Sequence, residues 1–319
     1  MKVHFWGTRG SLPVSLTGDG IRKKVFQALQ KANGKQFADD TAISDFMDSE
    51  LAFHQRSGFG GSSSCVEIKV PGQDYIVCDM GSGLRELGQQ IMQEHGPGKP
   101  QTYNIFMSHP HWDHIMGLPF FPPAYIPGNK LRIHGGHDTL EQALRKQQED
   151  PCFPVHFDFL GADIEFIKLT PSEPFQCGDV TVHTIRQPHH GDSYGYRFEN
   201  SGMAVVYSTD AEHKLESEEE TAEFVDFFKS ADLLIFDAMY TMADMISVKE
   251  DWGHSSNIIG VDLCHRAGVK HYCMFHHEPV FGDKALSEIL AETIRYEEII
   301  RDGDALKVSS AYDGLEIVI

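Results

Sequence analysis

"SHPHWDHIMG", residues 108–117, sets His109, His111, Asp113 and His114 within six positions, between the apolar runs "YNIF" (103–106) and "MGLPFF" (116–121). A folding chain does not gather so many ionisable groups beside apolar sequence unless something satisfies them. Imidazole nitrogen suits zinc and similar ions, and carboxylate oxygen admits harder ones such as manganese, so the mixture predicts a borderline divalent metal. A loop at this point, with no helix, is expected to turn alternate side chains toward opposite sides of one ion.

One loop cannot complete two metal sites, so the ends of other predicted strands matter. "IRQPHHGDSYGYRF" offers His189 or His190 after "VTVHTIR", "VVYSTDAE" offers Asp210, and "YCMFHHEP" offers His276 or His277. An aspartate after a strand is more often a turn residue, but in layered α/β proteins ligands collect where strands run out into loops. "LLIFDAM" and "DWGHSSN" add Asp237 and His254; the bland alternative makes Asp237 a strand end and places His254 before a helix capped by Ser255 or Ser256. Arg9 in "GTRGS" has a guanidinium that matches phosphate oxygens, and serves equally as a turn residue in an ion pair.

Outward from these motifs, "KVHFW" reads as a strand, and "SCVEIKV" and "DYIVCDMG" as a hairpin about "PGQ". Further strands are expected at "YNIFMS", "LRIHG", "DIEFIKL", "VTVHTIR", "YGYRFE", "MAVVYS", "DLLIFD", "HYCMFH" and "LEIVI". Helical spacing marks "GLRELGQQIMQEHG", "DTLEQALRKQQ", "EEETAEFVDFFK", "SSNIIGVDLCHRAG" and "ALSEILAETIRYEEII". Hairpins first and alternation with helices later predict an α/β fold of two mixed sheets packed face to face with helices outside. "IRKKVFQALQKA" and "AISDFMDSEL" predict an inserted helical segment at about 18–58 within one domain spanning 1–319.

The chain of 319 residues is long enough for a sizeable core, and 47 acidic against 27 basic residues give a formal charge of -20. That charge repels polyanions, which weighs against long nucleic acids as partners, although a local ion-lined cleft still attracts one small phosphate. The six cysteines form no C-x-x-C pair, no stretch reaches the length of a membrane span, and "MKVHFWGTRG" has too short an apolar run for a signal peptide. The expectation is a cytoplasmic protein without a membrane partner.

The H-x-H-x-D-H loop followed in order by "PHHGDSYGYR", "VVYSTDAE" and "VKHYCMFHHEP" resembles the metallo-β-lactamase superfamily, in particular its phosphodiesterase branch that includes tRNase Z. The resemblance runs from "GTRGS" through "GGSSSCVEI" and "VCDMGSGLRELG" to the C-terminal third. It implies a four-layer αββα sandwich. It also implies two divalent ions, with zinc expected and manganese compatible: His109, His111 and His189 on one, Asp113, His114 and His276 on the other, and Asp210 between them. His189 is preferred over His190 by its spacing to "GYR", and His276 over His277 because it directly follows the strand. The bridging aspartate, where β-lactamases of the superfamily commonly use a cysteine, weighs against lactam hydrolysis. Asp237 and His254 take the places of an acid and a histidine that act near the leaving oxygen, and Arg9 is the candidate phosphate contact.

The function so implied is phosphodiester hydrolysis by a hydroxide shared between the two ions, with His254, oriented by Asp237, protonating the departing alkoxide. No Gly-rich basic arm of the kind that grips tRNA lies between the ligand motifs, so the substrate expected is a small phosphodiester, foremost a cyclic nucleotide. The inserted helices and "GLPFFPPAYIPG" are placed to cover its pocket, with Phe120, Phe121 and Tyr125 as candidate base-stacking residues. The alternatives are an RNA-processing nuclease of the tRNase Z type, a lactonase or thioesterase on the same scaffold, and a metal-holding binding protein without turnover. A homodimer is expected from the relatives.

Overall fold

The computed structural model describes residues 1–214, 218–247, 249 and 251–319. One seven-stranded sheet contains β1 (Lys2–Gly7), β2 (Cys65–Lys69), β3 (Tyr75–Cys78), β4 (Thr102–Met107), β5 (Lys130–Gly135) and β6 (Asp163–Lys168) in that spatial order. The second sheet runs β7 (Phe175–Cys177), β8 (Val180–Gln187), β9 (Ser193–Asn200), β10 (Met203–Ser208), β11 (Leu233–Asp237), β12 (His271–Phe275) and β13 (Lys307–Ser310). The final strand, β14 (Glu316–Val318), returns to the first sheet and pairs antiparallel with β1.

Each sheet is half antiparallel and half parallel. The β1–β2–β3 and β7–β8–β9–β10 stretches are antiparallel, whereas β3 to β6 and β10 to β13 are parallel. The expected hairpins and the later alternation with helices are therefore both present. Two strands escape the sequence pattern, β7 ("FQC") and β13 ("KVSS"), because segments of 3 and 4 residues with polar side chains carry too little alternation to read.

Period-two burial sorts the strand residues into layers. Phe5, Val66, Phe106, Val205, Ile235 and Phe275 meet between the sheets in one core. Their sequence neighbours Trp6, Cys65 and Ile105 turn outward beneath α4 (Leu84–His95) and α6 (Leu140–Gln147), packing with Leu84, Leu87 and Leu144. On the opposite side Val206, Leu234, Phe236 and Met274 pack under α7 (Glu218–Phe228), α9 (Asn257–Ala267) and α10 (Asp283–Ile300). The result is the expected helix–sheet–sheet–helix sandwich. Strands buried on both faces explain why "LLIFD" and "HYCMF" are nearly continuous apolar runs.

The segment after β1 is helical, as its spacing predicts: α1 (Gly18–Ala32), capped by the Thr17 hydroxyl, α2 (Asp40–Glu50), capped by Asp39, and the short α3 (Phe53–Arg56). α1 buries no residue, and α2 buries only Phe46. All six cysteines are free thiols, five of them buried. Among the described residues, no helix is long and apolar enough to cross a membrane.

The interior also holds neutral histidines. His134 is stacked on Phe106 with ring centroids 4.5 Å apart, and His213 on Phe236 at 5.2 Å. Burial pushes both imidazoles down to about 4, and burial together with nearby Arg9 and His276 pushes His277 down to about 3. The unfolded chain protonates the same rings near pH 6.5, so between these values the unfolded state binds more protons. Stability is therefore complete above about pH 6.5 and is lost as pH falls toward 4, by roughly 2 kcal/mol per imidazole at pH 5. A melting-temperature profile should fall by several degrees between pH 7 and 5. His134→Phe, which keeps the stack, should flatten the slope; an unchanged slope contradicts the assignment.

Candidate metal centre

The parallel halves of both sheets end at the same edge, and residues at or just beyond the strand ends build the site. Asp79 comes directly after β3, Ser108 and His109 after β4, His189 two residues beyond β8, Asp210 two beyond β10, Asp237 closes β11 and His276 comes directly after β12. Asp79, Asp210 and His276 take φ of 60°, 50° and 60°. This left-handed backbone is uncommon outside glycine and is tolerated where the surroundings over-determine it. It turns each side chain sharply off its strand into the space between the sheets.

The opening motif is not a plain loop, as expected, but carries one helical turn, α5 (Trp112–Ile115), with His111 as its N-cap. His109 and His111 approach from the extended segment before the turn. Asp113 and His114, roughly 100° apart on the turn, reach the cluster from its side. α8 (Met242–Ser247) lies in the loop between β11 and α9.

Hydrogen bonds orient the rings of the cluster. The Asp79 carboxylate accepts from the Ser108 amide (2.7 Å), the Ser108 hydroxyl (2.7 Å), the Tyr207 hydroxyl (2.7 Å) and His114 Nδ1 (2.8 Å). His114 therefore presents Nε2 to the cluster. The Ser108 hydrogen goes to Asp79, so His109 Nδ1 donates to Ser108 Oγ at 3.0 Å, and His109 Nε2 is a buried nitrogen with no hydrogen-bond partner. His189 Nδ1 donates to the Gly253 carbonyl at 2.8 Å, which leaves Nε2 facing His111 Nδ1 at 3.2 Å.

In their neutral forms, which cation binding requires, His109, His114 and His189 thus direct Nε2 lone pairs inward. His109, His111 and His189 bring nitrogens within 4.8 Å of one another, as do the ligand atoms of Asp113, His114 and His276. Asp210 lies between the two groups. Its Oδ2 is 3.7 Å from His109 Nε2 and 3.8 Å from His189 Nε2, while its Oδ1 is 3.2 Å from both His114 Nε2 and His276 Nε2. Converging lone pairs and two carboxylates fit a pair of divalent cations. Without cations, burial would raise the Asp113 carboxyl, but the flanking His114 and His276 hold it far below the usual carboxylate range.

A model of the beta-lactamase superfamily domain matches residues 75–277. The chain belongs to the metallo-β-lactamase superfamily. Ribonuclease Z from Bradyrhizobium sp. (strain ORS 278) is 25% identical over 138 residues, 41% of this chain and 42% of the relative. The chain thus matches about two fifths of the length of its curated relatives. Among solved structures, the metallo-β-lactamase fold protein YhfI from Bacillus subtilis superposes with a TM-score of 0.64 at 18% identity, covering 99% of this chain and 98% of that one. Unliganded yeast PDE1 superposes with a TM-score of 0.61 at 17% identity, covering 81% and 95%. The superfamily includes metal-dependent hydrolases.

Within this metallo-β-lactamase scaffold the ambiguous histidine pairs separate. His189 faces the cluster and His190 is exposed; His276 faces the cluster, while His277 points away and donates to the Ala311 carbonyl at 2.8 Å. His254 sits beside the site, its ring stacked on His276 at 5.1 Å, with Nδ1 hydrogen-bonded to Asp237 Oδ2 at 2.8 Å. Asp237 also accepts from the Ala211 and Met239 amides, so its oxygens already face donors. We read Asp237 and His254 as a hydrogen-bonded dyad rather than a third ligand set. Burial would lower the His254 pKa, but Asp237, by charge and hydrogen bond, and then Asp210 raise it to about 9.

Arg9 is placed differently from the expected phosphate contact. It is 2% exposed, and its guanidinium donates to the carbonyls of Gly60, Glu278 and Phe281. It braces the loop after His276.

Sequence reasoning also missed the supports of the metallo-β-lactamase cluster. Asp79 and Ser108 set the ring orientations, Ser11 donates its amide to Asp113 Oδ2 at 2.8 Å, and Glu212 holds the Asp251 and Gly253 amides beneath His189. A Cβ at Gly10 would lie 2.7 Å from the His276 ring, so that position admits only glycine without moving a ligand candidate. The signal for Asp79 was visible as the acid ending "YIVCD", but it marks a strand end equally well. Asp79→Asn replaces an acceptor oxygen with an N–H that meets other donors, and is expected to weaken metal binding by about 10- to 100-fold. Metal titration monitored by calorimetry checks this, and unchanged affinity would remove Asp79 from the site.

Proposed function

We propose that the protein is a dinuclear metal-dependent phosphodiesterase that hydrolyses a small phosphodiester, with a cyclic nucleotide as the favoured substrate. The observation that carries this reading is Asp210, one oxygen directed at each triad, with the Asp237–His254 dyad alongside. His109, His111 and His189 would hold one ion, Asp113, His114 and His276 the other, with zinc expected and manganese compatible with the same N/O donors. When bound, such a pair supplies a water acidic enough to attack at neutral pH and neutralises charge building on phosphoryl oxygens. Asp210 fixes the spacing of the two triads. Asp237 keeps the His254 ring oriented, and His254 delivers a proton to the departing alkoxide, whose high conjugate pKa demands one.

Beside α5 opens a cavity of about 530 Å³, lined by Trp112, Phe120, Phe153 and Arg85 among others. Phe120 is exposed there and meets Phe153 edge-on at 5.7 Å, which supports an aromatic arm on the substrate. Phe121 is fully buried in the core, and Tyr125 turns its hydroxyl to the Pro119 carbonyl, so the expected stacking falls to Phe120 and, beside it, Trp112. A net charge of -20 opposes a long polyanion but scarcely affects a diester of one charge.

The match to ribonuclease Z keeps RNA processing as the second reading. Purified, metal-loaded protein should be assayed on cyclic AMP, cyclic GMP, bis(p-nitrophenyl) phosphate, precursor tRNA and acyl esters. Cyclic-nucleotide turnover without tRNA trimming is the expected result. Efficient trimming with inert cyclic nucleotides, or ester hydrolysis far above diester hydrolysis, overturns it.

A further inference from the structure

The turn that carries His189 is held from both sheets. It joins β8 to β9, and the Asp192 amide donates across it to the His189 carbonyl at 3.0 Å. On its leading side it is tied within its own sheet, where the Glu212 amide donates to the Pro188 carbonyl at 2.9 Å. On its trailing side Gly191 and Asp192 take φ of 79° and 65°. Left-handed backbone at an aspartate persists where the surroundings hold it. Arg186 pairs with the Asp192 carboxylate at 2.7 Å, but at the surface such a pair contributes little.

His137 supplies the stronger hold, and it comes from the first sheet, two residues beyond β5. Its Nε2 lies 3.0 Å from the Gly191 carbonyl and 3.2 Å from the Asp192 carbonyl. Both partners are acceptors, so this nitrogen carries the hydrogen and donates to the two together. Nδ1 is buried with no hydrogen-bond partner among the described residues, so the polar contacts of the ring all go to the His189 turn. The ring meets Tyr194 edge-on at 4.9 Å. A Cβ at Gly136 would lie 2.1 Å from the Tyr194 ring, so glycine is what lets this backbone approach so closely. Lys168, at the end of β6, fixes the approach by donating to the Gly136 carbonyl and pairing with Asp138 at 2.7 Å.

The brace bears on one triad only. His109 and His111 follow β4 of the first sheet, whereas His189 belongs to the second. The Gly253 carbonyl orients the His189 ring, but the 3.2 Å between His189 Nε2 and His111 Nδ1 depends on where the backbone of the turn stands. His137 ties that backbone to the sheet from which His109 and His111 come. Asp113, His114 and His276 lie outside the turn.

We propose that His137 is a positioning residue for the first triad: it sets the span between His189 and the His109–His111 pair, and so governs the affinity of one of the two ions. Neither of its hydrogen bonds goes to a ligand side chain. The proposal rests on the two-ion reading of the cluster and not on the reaction.

Calorimetric titration of metal-free protein with zinc, against a competing chelator, tests it. The wild type should take up two ions. His137→Ala should raise the dissociation constant of one by about 10- to 100-fold and leave the other unchanged. His137→Gln, whose side-chain amide can donate to the same carbonyls, should stay near wild type. In a His276→Ala background the remaining ion should still weaken on His137→Ala, and in a His111→Ala background it should not respond. Unchanged binding in His137→Ala, equal weakening of both ions, or a glutamine variant as weak as the alanine one overturns the proposal and leaves the two-ion centre standing. A wild type that takes up no divalent ion overturns both.

Discussion

Asp210→Ala should lower phosphodiester turnover by about a thousandfold or more and leave the purified protein with fewer bound ions than the wild type. The expectation rests on its two oxygens, one 3.2 Å from His114 and His276 and the other 3.7 to 3.8 Å from His109 and His189. Removing the carboxylate deletes a donor from both triads at once, whereas His111→Ala deletes one donor from one triad. His111→Ala should therefore lose mainly one ion, and Asp210→Ala should disturb both. Asp210→Asn separates shape from charge: the side chain is preserved, but an amide N–H now confronts imidazole lone pairs. Elemental analysis of protein dialysed against trace metal, together with the diester assay, gives the answer. Full activity with two ions in Asp210→Ala would mean that the two triads do not act as one centre.

His254→Ala should slow the chemical step by about 10²- to 10⁴-fold while metal content stays at the wild-type level. The distinction rests on hydrogen bonding, because His254 Nδ1 is engaged by Asp237 and the dyad stands beside the two triads. A general acid matters in proportion to how poor the leaving group is. The loss should be large for a cyclic nucleotide, whose departing group is an alkoxide, and small for bis(p-nitrophenyl) phosphate, whose phenolate leaves unaided. Asp237→Asn should show the same pattern in weaker form, since it frees the ring without deleting it. The alkaline limb of the wild-type pH profile on alkyl diesters should disappear in His254→Ala. Equal losses on both substrates would remove the proton-donor role, and loss of an ion would make His254 a ligand.

The layers and the cluster were legible in the sequence for one reason: both depend on strands. Period-two burial is encoded residue by residue, so "YNIF", "LLIFD" and "HYCMF" announce strands with both faces covered, and the ionisable residues just beyond them announce a shared edge. What the pattern could not hold is direction. Arg9 has the chemistry of a phosphate contact, yet three backbone carbonyls capture its guanidinium, and nothing in "GTRGS" records where those carbonyls lie. Asp79 is separated from His114 by 35 positions, so their hydrogen bond is a product of the β3–β4 pairing rather than of any local motif. The helical turn at Trp112–Ile115 is too short for periodicity to show. β13 went unread because its partner strand, not its own side chains, makes it a strand.

The corners at Asp79, Asp210 and His276 limit which mutations drift can explore there. Asparagine and glycine accept a left-handed backbone readily, whereas valine, isoleucine and threonine clash with it. An evolving lineage that gives up the bridging carboxylate therefore has an easy exit through asparagine at Asp210 and a hard one through any branched residue. A mutational library at these corners should return survivors in that order of folding yield, whatever reaction is selected for.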